Sequence, residues 1–545
     1  MKYWKSLRSK YHFILVGISI LIIATLLSIK VGIHCLNADE AAFGYNAYSI
    51  GETLRDEHGV FLPVRLESFS DNKLPLLAYI MVPFVKTLGL NIFSVRLPTI
   101  ILGSLFPLLF YLLSYELFQK KNIAVVSALI SSVSPWLIIF SRYAFEGVLA
   151  TALIITSIIM LLKYSKKQKL HFLIFSMSFS FLSLFSYHLS KSVVLLIAIW
   201  AIIIIFRSTK TRKLIMYFMV IIPLLLFLLT EAHYPASRVS NLLFYKTPGF
   251  VMSITELNNE HPSRLLHNKA IESIKTLSQS YLKHFSTEFL VTEGDNDNRF
   301  GMKGIEPIST IEYLFIGVGL YFLFKNKSKY RYPILSFLLI APLSSSIAWQ
   351  EASLKRSFFM IVPILIIGSY GLLNFSLSLD KKIRFLILGI AFIIFAIMKI
   401  VSLDFYFNHY PKKAIAQYSM QCGYDELNNY IKENYDKFDH FYITKKHGQP
   451  YIFTLFFQKF SPILFQKTSE STAPDEYGFS QITSFDKYTF NADSMDTIKY
   501  NNYAYIGYPD DFNFTNVIKS DIKVIGSEET EIFWIYEHVE KNPAN

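Results

Sequence analysis

The sequence predicts a polytopic α-helical membrane protein with a soluble α/β domain at its C-terminal end, and three observations carry that prediction. A chain of 545 residues that is 52% hydrophobic, 16% aromatic and only 17% charged is too apolar for a water-solvated globule of this size. Apolar runs of roughly 17 to 22 residues recur up to residue 402, each long enough to cross a hydrocarbon core about 30 Å thick, which calls for helices. After Leu403 the chain turns polar, rich in Asn, Asp, Lys and Tyr, with no further spanning run.

In order, the runs are residues 13–30, 97–118, 123–140, 145–162, 170–187, 191–206, 214–231, 309–324, 332–348, 357–376 and 385–402, so eleven transmembrane helices are expected. Residues 74–90 are left out: the stretch is short, contains Pro75, Pro83 and Lys86, and reads as an interfacial or re-entrant element. With it omitted, every second loop is basic: the N-terminus with Lys2, Lys5, Arg8 and Lys10, then 120–121, 163–169, 207–213, 325–331 and 381–384. That is the positive-inside pattern. It places the N-terminus in the cytoplasm and residues 31–96, 141–144, 188–190, 232–308, 349–356 and everything after 402 outside. The first run reads as an anchor, because no small-x-small cleavage site follows it.

The expected division is therefore a membrane domain, 1–402, with long outer loops at 31–96 and 232–308, and an extracytoplasmic α/β domain, 403–545. Within the latter, 412–436 has helical spacing, and HFYIT, YAYIG, IKVIG and EIFWIY read as strands.

The net charge of +12 sits in clusters beside apolar runs and forms no basic stripe interleaved with aromatics, so no nucleic-acid partner is read from it. Two cysteines, Cys35 and Cys422, exclude a disulfide scaffold and a thiolate metal cluster. Both lie outside in this topology, where one bridge is chemically permitted, but nothing in the sequence pairs them. No phosphate-binding glycine loop appears, which disfavours a nucleotide or nucleotide sugar as direct donor. Glu293, Asp295 and Asp297 lack the twelve-residue calcium-loop pattern. No metal ligand set and no certain cofactor are read, and a divalent cation stays open.

A transporter would place ionisable residues mid-span. Here the spans are nearly clean, with Glu116 and His171 near cytoplasmic ends and Glu231 and His233 near an outer one, while the outer loops are dense in charge. Asp39 and Glu40 follow the first span, Lys73 stands two residues before Pro75, Arg142 and Glu146 stand four apart at a span entrance, and His188 and Lys191 mark the third outer loop. Arg238 follows the seventh span. Each also has a plain structural reading: Asp39 and Glu40 as charges favoured at a helix N-terminus, Lys73 as a snorkelling interface lysine, Arg142 and Glu146 as a surface ion pair.

The ordered combination of ADEAAFGYNA, DNKLPLLAYI, FSVRLPTIILGSL, SPWLIIFSRYAFEG and RSFFMIVPILIIGSYGL resembles the glycosyltransferase 39 superfamily, a GT-C group that includes protein O-mannosyltransferases and the aminoarabinose transferases of lipid A. The resemblance covers roughly residues 10–400. It implies a polyprenyl-phosphate sugar donor, a protein, lipid or cell-wall acceptor, surrounding membrane lipids, and chemistry on the outer face. Transfer from such a donor needs a base for the acceptor's proton and cations for the departing phosphate. The resemblance puts Asp39 in the base role and Lys73 at the donor phosphate, with Glu146 as a further catalytic carboxylate. By position and charge, Glu40 beside Asp39 is a third catalytic candidate, and Arg142, Arg238, His188 and Lys191 are further candidates to bind the donor phosphate. Glu146 stands where relatives often carry an aspartate. All of these precede residue 240, which leaves the C-terminal domain outside the expected chemistry. A polysaccharide polymerase or ligase of the same class is the nearest alternative, and a transporter the more distant one.

Overall fold

The computed structural model describes residues 2–540 apart from 70, 209–212, 234–242, 261–265, 349–351, 447, 474–479, 491–500, 513–518 and 528–529. The chain divides into two compact units, each made of two separate stretches: 1–29 with 99–408, and 30–98 with 409–545.

The first unit is built of helices. Among the described residues, six helices are long and apolar enough to cross a membrane: Tyr11–Ser28, Ile92–Phe118, Glu146–Lys167, Lys213–Glu231, Phe358–Ser378 and Lys381–Lys412. The pair Lys121–Ser132 and Pro135–Ser141, bent by 56°, makes a seventh if it counts as one span. Pro135 supplies the break, since it lacks the N–H that would continue the ladder.

Six or seven of the eleven expected spans are thus long and apolar enough to cross by themselves. The other four runs are helical but short: Leu170–Leu184 has 15 residues, Ser190–Phe206 has 17, Thr310–Lys325 has 16, and Arg331–Ile340 has 10 before Leu343–Ser346 resumes. At 1.5 Å per residue a 15-residue helix is about 22 Å long, short of a core about 30 Å thick. Hydropathy measures apolar length, and breaks at Phe185 and Pro342 end helices inside apolar runs.

The helices of this unit meet through small and hydroxylated residues, as packing between apolar spans requires. A Cβ at Gly371 would overlap the Phe315 carbonyl oxygen, so Ile361–Ser378 and Thr310–Lys325 touch backbone to backbone there. Ser114 Oγ donates to Ser127 Oγ at 2.8 Å, and Ser157 Oγ donates to the Ser176 carbonyl at 2.9 Å. Two charges qualify the clean-span reading. Glu312 caps Thr310–Lys325 through Ser309 and accepts from Lys399 Nζ at 2.6 Å, both side chains buried. A buried carboxylate and ammonium are tolerated because each neutralises the other.

The second unit contains a seven-stranded sheet. The strands are β1 (Leu66–Ser68), β2 (Asp71–Lys73), β3 (His440–Ile443), β4 (Glu470–Ser471), β5 (Ile482–Phe485), β6 (Tyr488–Thr489), β7 (Tyr503–Gly507), β8 (Ile522–Ser527) and β9 (Thr530–His538). β1 and β2 form a separate hairpin, and the sheet order is β4-β5-β6-β3-β7-β9-β8, with β3 parallel to both neighbours and the other pairs antiparallel. The four strands expected from the sequence are β3, β7, β8 and β9. The expected helix over 412–436 is broken into Ala414–Ser419 and Tyr424–Glu433, because Gln421 and Gly423 adopt positive φ, 55° and 85°.

The break holds the chemistry that joins the two stretches of this unit. Cys422 forms a disulfide with Cys35, 387 residues away in sequence. Beside it Gln421 Oε1 accepts from the Ala38 N–H at 3.0 Å. Helix Ala38–Thr53 then runs against helix Pro450–Gln458, so closely that a Cβ at Gly44 would stand 2.7 Å from the Phe456 ring, and Tyr45 donates to the Phe460 carbonyl at 3.1 Å. Residues 30–98 are thus packed into the C-terminal unit.

Candidate active site

Helix Ala38–Thr53 starts with a reciprocal cap. Asn37 Oδ1 accepts from the Glu40 N–H at 3.1 Å, and Glu40 Oε2 accepts from the Asn37 N–H at 3.3 Å, satisfying two donors that a helix start leaves open. Glu40 is buried and paired in a fork with Arg96: Nε to Oε1 at 2.8 Å and Nη2 to Oε2 at 2.7 Å. The same guanidinium donates to the carbonyls of Val31, His34 and Cys35 at 2.7, 2.9 and 2.9 Å. Arg96 therefore ties the chain leaving the first span to the start of the next helix through one planar set of donors.

Asp39 points elsewhere, since adjacent helical residues diverge by about 100°. Its side chain is 37% exposed and accepts from Lys73 Nζ at 2.7 Å. Lys73 closes hairpin β1–β2, in register with Leu66. Its ammonium lies 5.3 Å from the Phe43 ring and 4.9 Å from the Phe69 ring, a cation–π setting. The hairpin is moored to the helix from below. Ser68 Oγ donates to Glu57 Oε1 at 2.6 Å and accepts from Asn46 Nδ2 at 3.3 Å, while Asn46 Oδ1 accepts from the Glu57 N–H at 3.0 Å. Glu57 is fully buried, and burial pushes its carboxyl above the usual carboxylate range.

The remaining candidates lie in the first unit. Arg142 is buried, and its Nη1 donates to the carbonyls of Leu26, Leu27 and Ile29 at 2.9, 3.0 and 2.7 Å, the C-terminal end of the first span. Its guanidinium also lies over Phe407 at 4.8 Å. A cation on a helix C-terminus is stabilised by the helix dipole. Helix Pro135–Ser141 ends before Arg142 and the next begins at Glu146, so the two do not share one helical face. The Glu146 carbonyl accepts from Ser186 Oγ at 3.0 Å. Lys191 is ion-paired with Glu231 and lies over Phe227. His188 falls in the turn before helix Ser190–Phe206. Arg238 lies outside the described residues.

The acidic loop of the fourth outer segment is engaged by protein donors. Asp295 Oδ2 accepts from Ser353 Oγ at 3.0 Å and the Leu354 N–H at 2.8 Å. Burial, with the neighbouring Asp297 charge, pushes its carboxyl up to about 6. Asp297 is forked with Arg299, Nη2 to Oδ2 at 2.7 Å. Burial opposes its ionisation, but the Arg299 hydrogen bond and charge outweigh burial and hold its carboxyl below the usual range. Among the described residues, no group of three His, Cys, Asp or Glu side chains is placed to hold a metal ion.

Three residues around the Asp39–Lys73 pair escape sequence reasoning: Arg96, Glu57 and Asn46. In the helical unit so does Lys355, whose ammonium lies 5.6 Å from both the Phe145 and Phe300 rings. Arg96 carried a usable signal, since a guanidinium opening an apolar run needs an acidic partner.

Residues 72–232 match the family described as dolichyl-phosphate-mannose-protein mannosyltransferase. No curated protein matches the chain. Among solved structures, ArnT from Cupriavidus metallidurans bound to undecaprenyl phosphate aligns over 97% of this chain and 98% of its own, with TM-score 0.55 and 8% identity. The archaeal oligosaccharyltransferase AglB from Archaeoglobus fulgidus, in complex with an inhibitory peptide and a dolichol-phosphate, aligns over 82% of this chain with TM-score 0.46 and 13% identity. The chain spans 64% of the length of that protein. The resemblance to the glycosyltransferase 39 superfamily is borne out by the family match, and the GT-C fold by the likeness to ArnT.

Proposed function

From a chain that carries glycosyltransferase 39 sequence over residues 72–232 on a GT-C fold, we propose a membrane glycosyltransferase that moves a sugar from a polyprenyl-phosphate donor to an acceptor hydroxyl on the outer face of the membrane. The observation that carries this reading is the 2.7 Å pair between Asp39 and Lys73, a part-exposed carboxylate beside an ammonium, set on a helix start that the buried Glu40–Arg96 fork holds fixed.

In the proposed reaction the acceptor O–H gives its proton to Asp39, and its oxygen attacks the anomeric carbon. The bond from that carbon to the donor phosphate breaks, the electron pair leaves with the polyprenyl phosphate, and the anomeric configuration inverts. Lys73 is the cation for that phosphate. Because it pairs with Asp39 at rest, an arriving phosphate competes for the ammonium and releases the carboxylate as a base, which ties base activation to donor occupancy. Phosphate needs charge stabilisation and no proton, so a lysine serves without a general acid.

Glu40 acts through Arg96 as a positioning residue in this scheme, and Arg142 holds the first span. Glu146 stands as a secondary catalytic candidate, and His188, Lys191 and Arg238 as secondary candidates to bind the donor phosphate. Localisation follows the charge pattern: a multi-pass membrane protein, N-terminus in the cytoplasm, C-terminal domain outside. The test is turnover of purified full-length protein with radiolabelled polyprenyl-phosphate sugars and extracted membrane acceptors. No label transfer with any donor in the presence of a complete envelope extract would contradict the proposal.

A further inference from the structure

The helical unit contains a cleft of about 420 Å³, within the range of roughly 300–1,000 Å³ found for small-molecule sites. Its walls are apolar side chains from five helices: Leu113 of Phe106–Phe118, Ile158 of Glu146–Lys167, Trp200 of Ser190–Phe206, Phe337 of Arg331–Ile340 and Ile366 of Ile361–Ser378. The polar lining includes Arg207 and Lys329, both exposed, and Tyr330. Tyr330 is only 8% exposed, and its hydroxyl makes no hydrogen bond among the described residues. A buried hydroxyl without a partner is a cost that a bound acceptor removes. The carboxylate of Glu116, whose charge acts on Tyr330, is ion-paired with Lys166.

We propose that this cleft binds one acyl chain of an anionic phospholipid, with the headgroup phosphate held by Arg207 and Lys329 and accepting from the Tyr330 hydroxyl. Charge decides the occupant: an apolar slot with two cations among its polar residues suits an amphiphile that carries negative charge at one end, and basic pockets between spanning helices are where such headgroups are bound. Arg207 and Lys329 belong to loops that the charge pattern assigns to the cytoplasmic side, whereas Asp39 and Lys73 belong to an outer segment. The site is therefore assigned to a lipid of the membrane and not to the sugar donor. The inference is independent of the transfer chemistry and survives if that proposal fails.

The test is melting of the purified full-length protein in detergent with added phosphatidylglycerol, phosphatidylcholine, undecaprenyl phosphate or inorganic phosphate, alongside native mass spectrometry of retained lipid. Phosphatidylglycerol should raise the melting temperature by about 2 °C or more, phosphatidylcholine by less, and inorganic phosphate not at all, because it lacks the tail. Arg207→Gln with Lys329→Gln should abolish the difference between the two phospholipids. Tyr330→Phe, which removes an unpartnered hydroxyl, should leave the lipid-free protein at least as stable while reducing the gain. Equal effects of the two phospholipids, a phosphatidylglycerol effect that survives the double substitution, or a response confined to undecaprenyl phosphate would each overturn the proposal.

Discussion

Cys35 and Cys422 are bonded across 387 residues of sequence, and the bond stands two residues before Asn37, the cap of the helix that carries Asp39. The Gln421 side chain reinforces it by accepting from the Ala38 N–H. The C-terminal stretch therefore holds the start of the proposed catalytic helix.

Breaking that bond should lower both stability and turnover. Cys422→Ser is expected to cost about 2–4 kcal/mol, read as a drop in melting temperature that wild-type protein reproduces when reduced. Turnover should fall with it, because the helix start loses an anchor. Reductant that leaves both melting and turnover unchanged would show that the disulfide holds nothing.

The Glu40–Arg96 fork should behave as a buried pair. Arg96→Ala strands a buried carboxylate, which costs roughly 3–5 kcal/mol, and frees the carbonyls of Val31, His34 and Cys35. Arg96→Lys should recover little, since an ammonium cannot make the fork. Expression yield and thermal melting check this. A fully stable Arg96→Ala protein would remove the positioning role assigned to Glu40.

Much of the fold was legible because it follows from local pattern. Apolar runs mark the helices of the first unit, and the four aromatic and β-branched runs of the tail are the strands β3, β7, β8 and β9. What escaped depends on meetings between distant residues. Nothing near Cys35 names Cys422, and nothing near Arg96 names Glu40, 56 residues upstream. Asp39 and Lys73 could be nominated by resemblance, but their pairing rests on the Ser68–Glu57–Asn46 mooring, made of polar residues that look like ordinary loop composition. Two helix ends escaped for a different reason: hydropathy runs on through Phe185 and Pro342, where the backbone turns.

Asp295 gives a pH dependence with a definite sign. Its carboxyl is pushed up to about 6 from 3.8, mainly by burial, so between those values the folded state holds a proton that the unfolded state has lost. Stability from this group is therefore greatest at low pH and falls as pH rises through about 4 to 6, to a penalty on the order of 3 kcal/mol once ionised in both states. Asp295→Asn should flatten that part of the stability profile relative to wild type. Parallel profiles for the two proteins between pH 4 and 7 would contradict the assignment.

The central claim is that Asp39 is a base and Lys73 a phosphate cation, and paired variants separate these roles from a structural one. Asp39→Asn keeps size and hydrogen bonding but cannot take the proton, so turnover should fall by roughly 10² to 10⁴ with donor affinity nearly intact. Lys73→Ala should lose donor affinity as well as turnover, since the cation acts on the bound donor and on the leaving phosphate. If the pair only stabilised the helix start, melting would shift by the equivalent of about 0.3–1 kcal/mol and turnover would hold. The most direct measurement is single-turnover sugar transfer by Asp39→Asn at saturating polyprenyl-phosphate sugar: a rate loss of 10² or more with unchanged melting is the predicted result, and near-native transfer would contradict the account.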